Sequence, residues 1–202
     1  LYNKEVIMYS QNNEEEILLA NLPENGFLLD FGAYDGKTFS NSLRLIELGW
    51  SGVLIEASPI NFKSVMELHK GKTNLTLINA PVTVSGGLVK FYDSIGDGIS
   101  TTNKDHKEKW ETNNSVHYQE IYLSSITLEQ VFGIHNKNFD FVNIDVEGEN
   151  LELLKTFPFD KCMPKVICIE HDNNENKIME IVSEYGFGII HKNNENIILK
   201  RS

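Results

Sequence analysis

Hydrophobic and polar positions along the chain fall into short alternating blocks. A first segment, Glu14 to Leu19, sets acids beside an apolar stripe and predicts a short helix closed by Pro23 and Gly26. Phe27 to Phe31 is an apolar run broken only by Asp30 and followed by Gly32, the signature of a strand buried on both faces. Phe39 to Leu48 places Leu43, Leu45, Ile46 and Leu48 near helical spacing, with Gly49 at its end. The cycle repeats with a strand over Gly52 to Glu56, a helix over Pro59 to His69 and a strand over Leu75 to Asn79. Strands alternating with helices predict a doubly wound α/β fold around a parallel sheet.

The middle of the chain is less regular. Gly87 to Tyr92 reads as an added strand, Ser94 to Ser100 as a glycine-containing loop, and Asn103 to Val116 as a long polar loop, functional or disordered. Regularity returns with strands over Phe139 to Asp145 and Val166 to Glu170, each followed by a helix, Glu149 to Lys155 and Lys177 to Tyr185. Phe187 to Lys192 and Asn196 to Lys200, separated by a polar turn, predict a C-terminal antiparallel hairpin. Few dinucleotide-binding folds end that way.

Composition narrows the partners more than the fold. The 202 residues suit one domain, and 41% hydrophobic with 23% charged residues is ordinary for a globular protein. Acids outnumber Lys and Arg by 29 to 18, a net charge of −11, and no basic cluster exists to meet a phosphate backbone. Nucleic acid is therefore not expected as a partner, and a small molecule or glycan is. No apolar run is long enough for a membrane span. The N-terminus, Leu1 to Glu5, lacks both a signal-peptide pattern and a starting Met, so a cytoplasmic chain cut from a longer polypeptide is expected. Cys162 and Cys168 read as two reduced core thiols. His69, His135 and His191 read as surface or helix-end residues without partners.

Ligands of open α/β sheets bind outside the C-terminal ends of the strands. Asp30, Glu56, Asn79, Asp145 and Glu170 stand at or near those predicted ends, and four of the five are carboxylates. The turn from Asp30 to Gly36 is not the G-x-G-x-x-G fingerprint that offers a helix N-terminus to a pyrophosphate. Its acids, Asp30 and Asp35, would repel phosphates but suit a ligand bearing an ammonium and a sulfonium, such as S-adenosylmethionine. Glu56 is placed to accept both hydroxyls of a ribose.

These segments resemble the FkbM family of methyltransferases across most of the chain. The similarity is carried by Ser10-Gln11 with Glu14-Glu15, by Asp30 to Gly36 with Thr38, Ser40 and Asn41, and by Gly49-Trp50 with Gly52 to Pro59. Gly98 to Thr101, Asp140 to Gly148 and Ile169-Glu170 extend it. Tyr34 stands where the family usually has Asn, Ala57-Ser58 replaces Pro-Asn, and His171 follows Glu170. The resemblance implies a class I methyltransferase fold, a Rossmann-like sheet of seven strands, mostly parallel with a reversed C-terminal hairpin. It makes residues 1–202 a single methyltransferase domain, with fusion to other enzymatic domains expected. It implies O-methylation of a sugar, glycan or other small molecule. The cofactor contacts expected from it are Gln11, Asp30, Gly32, Ala33, Tyr34, Asp35, Gly36, Ser40, Asn41, Glu56, Ala57, Ser58, Asn79, Ala80 and Asp145.

Methyl transfer to a hydroxyl needs an aligned oxygen and an acceptor for its proton. Asp145, Glu147, Glu170, His171 and Asp172 are the candidates. His171 suits a general base, because an unperturbed imidazole titrates near neutrality. Alternatively Asp145, Glu170 and Asp172 hold a Mg²⁺ or Mn²⁺ ion. On a purely structural reading, Glu147 caps its helix, His171 packs and Asp172 is surface. Ser100, Thr101, His106 and Trp110, beside His117 and Tyr118, are the expected acceptor contacts, Trp110 by stacking on a sugar or merely by anchoring a loop. Two other classes compete: a non-catalytic module that keeps the nucleoside pocket, and a nicotinamide oxidoreductase, which the missing glycine fingerprint disfavours.

Overall fold

The structure is a computed structural model that describes residues 8–135 and 138–202. Five parallel strands form the centre of a seven-stranded sheet: β1 (Phe27–Phe31), β2 (Ser51–Glu56), β3 (Leu75–Asn79), β6 (Phe141–Ile144) and β7 (Val166–Glu170). The hairpin strands β8 (Phe187–Lys192) and β9 (Asn196–Arg201) complete it, giving the order β3-β2-β1-β6-β7-β9-β8. Strand β9 inserts antiparallel between β7 and β8, so the chain end reverses as the pattern predicts. The order turns back between β1 and β6, which opens the crevice used by ligands in such sheets.

Burial on both faces explains why the strands read as nearly unbroken apolar runs. In β1, Phe27, Leu29 and Phe31 face one core with Val142, Ile144, Ile167 and Leu199, beneath α5 (Leu128–Ile134), α6 (Asn150–Lys155) and α7 (Glu175–Val182). Leu28 faces the other core with Leu54, Phe141, Cys168 and Ile198, beneath α1 (Glu14–Asn21), α2 (Leu43–Glu47) and α3 (Pro59–Leu68). Trp50 fills this second layer at 1% exposure. Cys162 and Cys168 are free and buried, as expected.

The middle of the chain departs from the sequence reading. The expected polar loop is a helix, α4 (Lys104–Asn114), started by Asn103, whose side chain accepts from the His106 N–H (3.1 Å). It buries no side chain, and its surface is held by the pairs Lys104–Glu108 (3.1 Å) and Lys107–Glu111 (2.7 Å). A helix polar all round shows no apolar stripe, hence no periodicity. The added strand is present as β4 (Gly87–Asp93), and it pairs with β5 (Gln119–Ser125), which the sequence reading did not place, in a separate two-stranded sheet. The helix expected from Phe39 begins only at Leu43. Phe39 has φ 58°, and the Ser40 hydroxyl accepts from the Leu43 N–H (3.0 Å), fixing the start there.

His69 and His135 stand at helix ends, as expected: His69 closes α3 and is buried, with 3% exposure, and His135 closes α5, where its Nε2 meets the Thr76 hydroxyl at 2.8 Å. No helix among the described residues is long and apolar enough to cross a membrane.

Candidate active site

A cavity of about 550 Å³ opens at the C-terminal ends of β1, β2, β6 and β7. That volume is in the range of small-molecule sites. Its floor is the turn after β1. Gly32 has φ +85°, and a Cβ there would stand 1.7 Å from the Asp145 carbonyl oxygen. The backbones of the first and fourth parallel strands therefore touch at the crevice, and only glycine permits it.

Behind that contact lies a polar seam across three adjacent strands. Asp30, Asn143 and Cys168 sit side by side in register. The Asn143 amide donates to Asp30 Oδ1 (2.9 Å), and the Asn41 amide donates to Asn143 Oδ1 (3.1 Å). Asn41 is 5% exposed and lines the cavity, and its own Oδ1 has no partner among the described residues. A buried carbonyl oxygen in that state is a ready acceptor for a ligand N–H. Burial pushes the Asp30 carboxyl up from its ordinary range, against the opposing bonds from Ser42 and Asn143.

Glu56 ends β2 with both carboxylate oxygens held by backbone. The Tyr34 N–H donates to Oε2 (2.8 Å) and the Ser58 N–H to Oε1 (2.7 Å). Burial nevertheless raises it to about 8. At the far side Glu170, closing β7, is also raised to about 8, by burial first and then by the charges of Glu147 and Asp172. Asp145, just past β6, is pushed well up by burial and by Glu170. The cavity wall is thus crowded with carboxylates that resist ionising together.

This crowding fixes a pH dependence of stability. Glu56 and Glu170 hold protons in the folded protein that an unfolded chain releases near 4.5. Their contribution is complete below about 4.5 and is lost as pH rises through about 8. The melting temperature of the ligand-free protein is expected to fall between pH 5 and 8, and Glu56→Gln to flatten that slope. A flat wild-type profile would contradict the burial of these carboxyls.

Most of the expected cofactor contacts line the cavity: Gln11, Asp30, Gly32, Ala33, Tyr34, Ser40, Asn41, Glu56, Ala57, Ala80 and Asp145. Four stand behind it instead. Asp35 turns its carboxylate onto the N–H groups of Lys37 (2.8 Å) and Thr38 (2.7 Å), and Gly36 packs against Leu68 and His69. The Ser58 hydroxyl caps α3 and donates to Asp93 (3.1 Å), while the Asn79 amide donates to the Glu56 carbonyl (2.8 Å).

The expected catalytic set divides. Asp145, Glu147 and Glu170 line the cavity, but His171 and Asp172 do not. His171 Nδ1 accepts from the Asn173 N–H (3.1 Å), and Nε2 faces the Asn193 carbonyl (3.3 Å). Nε2 is committed to the hairpin turn and Nδ1 to the turn after β7, so His171 is not positioned as a base. Nor is the expected metal site of Asp145, Glu170 and Asp172 assembled. Asn150 donates its amide to both Glu170 (2.7 Å) and Asp172 (3.0 Å), and no group of three or more His, Cys, Asp or Glu among the described residues is arranged to hold a metal ion. Glu147 does not cap α6; its carboxylate meets His106 Nε2 at 3.0 Å.

Of the acceptor candidates, Trp110, Ser100 and Thr101 line the cavity and His106 does not. Both hydroxyls are already engaged. Ser100 bonds Ser94 Oγ (2.8 Å), and Thr101 donates to the Glu147 carbonyl (2.6 Å). With the Asn103 amide on the Gly148 carbonyl (3.2 Å), these contacts tie the start of α4 to the turn after β6. Sequence reasoning missed Asn143 and Asn150, which the strand and helix patterns absorb, and the hairpin-turn residues Glu195 and Asn196, which also line the cavity.

The fold has known counterparts. An FkbM methyltransferase from Methylobacillus flagellatus superposes with a TM-score of 0.56 at 14% identity, covering 99% of this chain and 46% of that one. This chain thus spans about half the length of that relative. The precorrin-6y C5,15-methyltransferase of Geobacter metallireducens gives 0.52 at 13% identity, with 100% and 94% coverage. Sp1610 of Streptococcus pneumoniae, in complex with S-adenosyl-L-methionine, gives 0.50 at 13% identity, with 95% and 73% coverage. A sequence search of curated proteins finds no match. The family model of the methyltransferase FkbM domain matches residues 30–189, most of the chain, from the C-terminal end of β1 through β7. The chain belongs to the FkbM family of S-adenosylmethionine-dependent methyltransferases.

Proposed function

We propose that the protein methylates a hydroxyl group of a sugar, glycan or other small molecule. The observation that carries this reading is the division of one cavity into a cofactor end, with Asn41, Asp30 and Glu56, and a far end, with Glu170, Asp145, Glu147 and Trp110.

The residues at the first end fit S-adenosylmethionine. Asn41 offers an unpartnered buried carbonyl oxygen and Asp30 a carboxylate for the ammonium, and Glu56 offers a backbone-braced carboxylate for the ribose hydroxyls. When bound, the cofactor supplies a methyl group on positively charged sulfur, which passes to an attacking oxygen while the S–C electron pair returns to sulfur. The protein must align that oxygen and take its proton. Glu170 suits the role of proton acceptor, because its carboxylate lines the cavity, is steadied by the Asn150 amide and is raised to about 8. A base poised near the working pH is the most effective one. Asp145 shares the proton load as its close neighbour. His171, set aside by its two backbone partners, packs the hairpin against β7.

The cavity wall offers no basic side chain among the described residues for a nucleic-acid backbone, which supports a small acceptor over RNA or DNA. The test is S-adenosylhomocysteine release in the presence of hydroxyl acceptors, with NMR of the product to locate the new methyl group. A methyl ether is the expected product. Glu170→Gln should lower kcat by about 10²–10⁴ while leaving S-adenosylhomocysteine affinity within a few-fold. A methylated nitrogen or carbon in the product would overturn the reading.

A further inference from the structure

The charge of the cavity wall is one-sided. Asp30, Glu56 and Asp97 stand at the cofactor end, and Asp145, Glu147, Glu149, Glu170 and Glu195 at the far end. No Lys, Arg or His is among the described residues that line it. S-adenosylmethionine brings two positive groups and one carboxylate, a single net positive charge. That charge is matched at the first end by Asp30, which lies beside Asn41, whose Oδ1 has no partner among the described residues. Five carboxylates remain around the far end, and of these Glu147 has a basic neighbour, His106, 3.0 Å away and outside the lining. Burial and mutual repulsion already drive Glu170 and Asp145 toward their neutral forms.

A second feature at that end points the same way. The Trp110 indole lines the cavity with these acids, on helix α4, whose His106 meets Glu147 and whose lead-in residues Thr101 and Asn103 bond the turn carrying it. An aromatic face beside carboxylates is the usual recognition pattern for an ammonium group. A neutral hydroxyl compound would use one of these acids as a base and leave the others crowded against one another, with protons rather than a ligand relieving their repulsion. An amine-bearing acceptor would pair with them.

We infer that the acceptor carries a protonated amine, as in an amino sugar or an amine-bearing glycan, held by the acidic far end and Trp110 while a neighbouring hydroxyl is methylated. This inference rests on the O-methyltransferase reading above and narrows its substrate class.

The experiment measures binding to the protein saturated with S-adenosylhomocysteine. The probes are glucosamine tetramer and kanamycin, each against its fully N-acetylated counterpart. The expected result is at least about tenfold tighter binding of the amine form, as one partly buried charge pair requires, weakening as salt is raised. Glu149→Gln, Glu195→Gln and Trp110→Leu should each reduce that preference with S-adenosylhomocysteine affinity unchanged. Equal binding within each pair, preference for the acetylated form, or binding of neither form overturns the inference. If S-adenosylhomocysteine itself fails to bind, the methyltransferase reading fails rather than the acceptor class.

Discussion

Gly32→Ala is expected to destabilise the protein by at least about 3 kcal/mol and to abolish S-adenosylhomocysteine binding. Two penalties combine. The residue sits at φ +85°, where a side chain carries roughly 1–3 kcal/mol of strain. The added methyl would also stand 1.7 Å from the Asp145 carbonyl oxygen, which is backbone and cannot swing aside. The turn after β1 and the end of β6 must part, and both walls of the cavity lie on those segments. Chemical denaturation measures the stability and calorimetry the binding. A variant within about 1 kcal/mol of wild type that still binds the ligand would mean the two backbones do not meet.

Glu56→Ala is expected to cost about 10²-fold or more in S-adenosylhomocysteine affinity, with any structural change confined to the turns after β1 and β2. Once pH passes its raised value of about 8, Glu56 is an ionised carboxylate, and accepting two ribose hydroxyls then makes two charge-assisted bonds, worth about 1.5–3 kcal/mol each. Its removal also leaves the Tyr34 and Ser58 N–H groups without their acceptor, which loosens the turn that forms the nucleoside wall. Glu56→Gln keeps the shape and should lose less. Unlike Glu170→Gln, which spares binding and lowers turnover, Glu56 variants should weaken binding first. Titration calorimetry at fixed pH separates the two classes. Equal affinity of wild type and Glu56→Ala would remove Glu56 from the cofactor site.

The parts of this molecule visible from sequence are those in which local pattern and burial agree. The five parallel strands show because both faces are covered, and the hairpin shows because two apolar runs flank a short polar turn. Helix α4 is hidden because every side chain it carries is at least partly exposed. Helix α5 has a readable start in Thr127 and Gln130, whose side chains cap each other's backbone, but its apolar pattern is short. At the site, Asp30 and Glu56 are legible as acids near strand ends. Asn143 is not, since it lies inside an apolar strand and acquires its role only through register with Asp30. His171 has the right chemistry at the right sequence position, yet its ring nitrogens are taken up by the backbone of the turn after β7 and of the hairpin turn. Side-chain direction at a strand end cannot be read from a one-residue step in sequence.

The most direct test of the account is thermal unfolding of the protein with S-adenosylhomocysteine and, separately, with NAD. A ligand at about 100 times its dissociation constant adds about 2.7 kcal/mol. For a chain of this length that is a rise of roughly 5–10 °C in Tm. The expected result is that rise with S-adenosylhomocysteine, its loss in Glu56→Ala at the same concentration, and no rise with NAD. A rise with NAD alone, or none with S-adenosylhomocysteine at saturation, would contradict the assignment of this acid-lined crevice to a methyl donor.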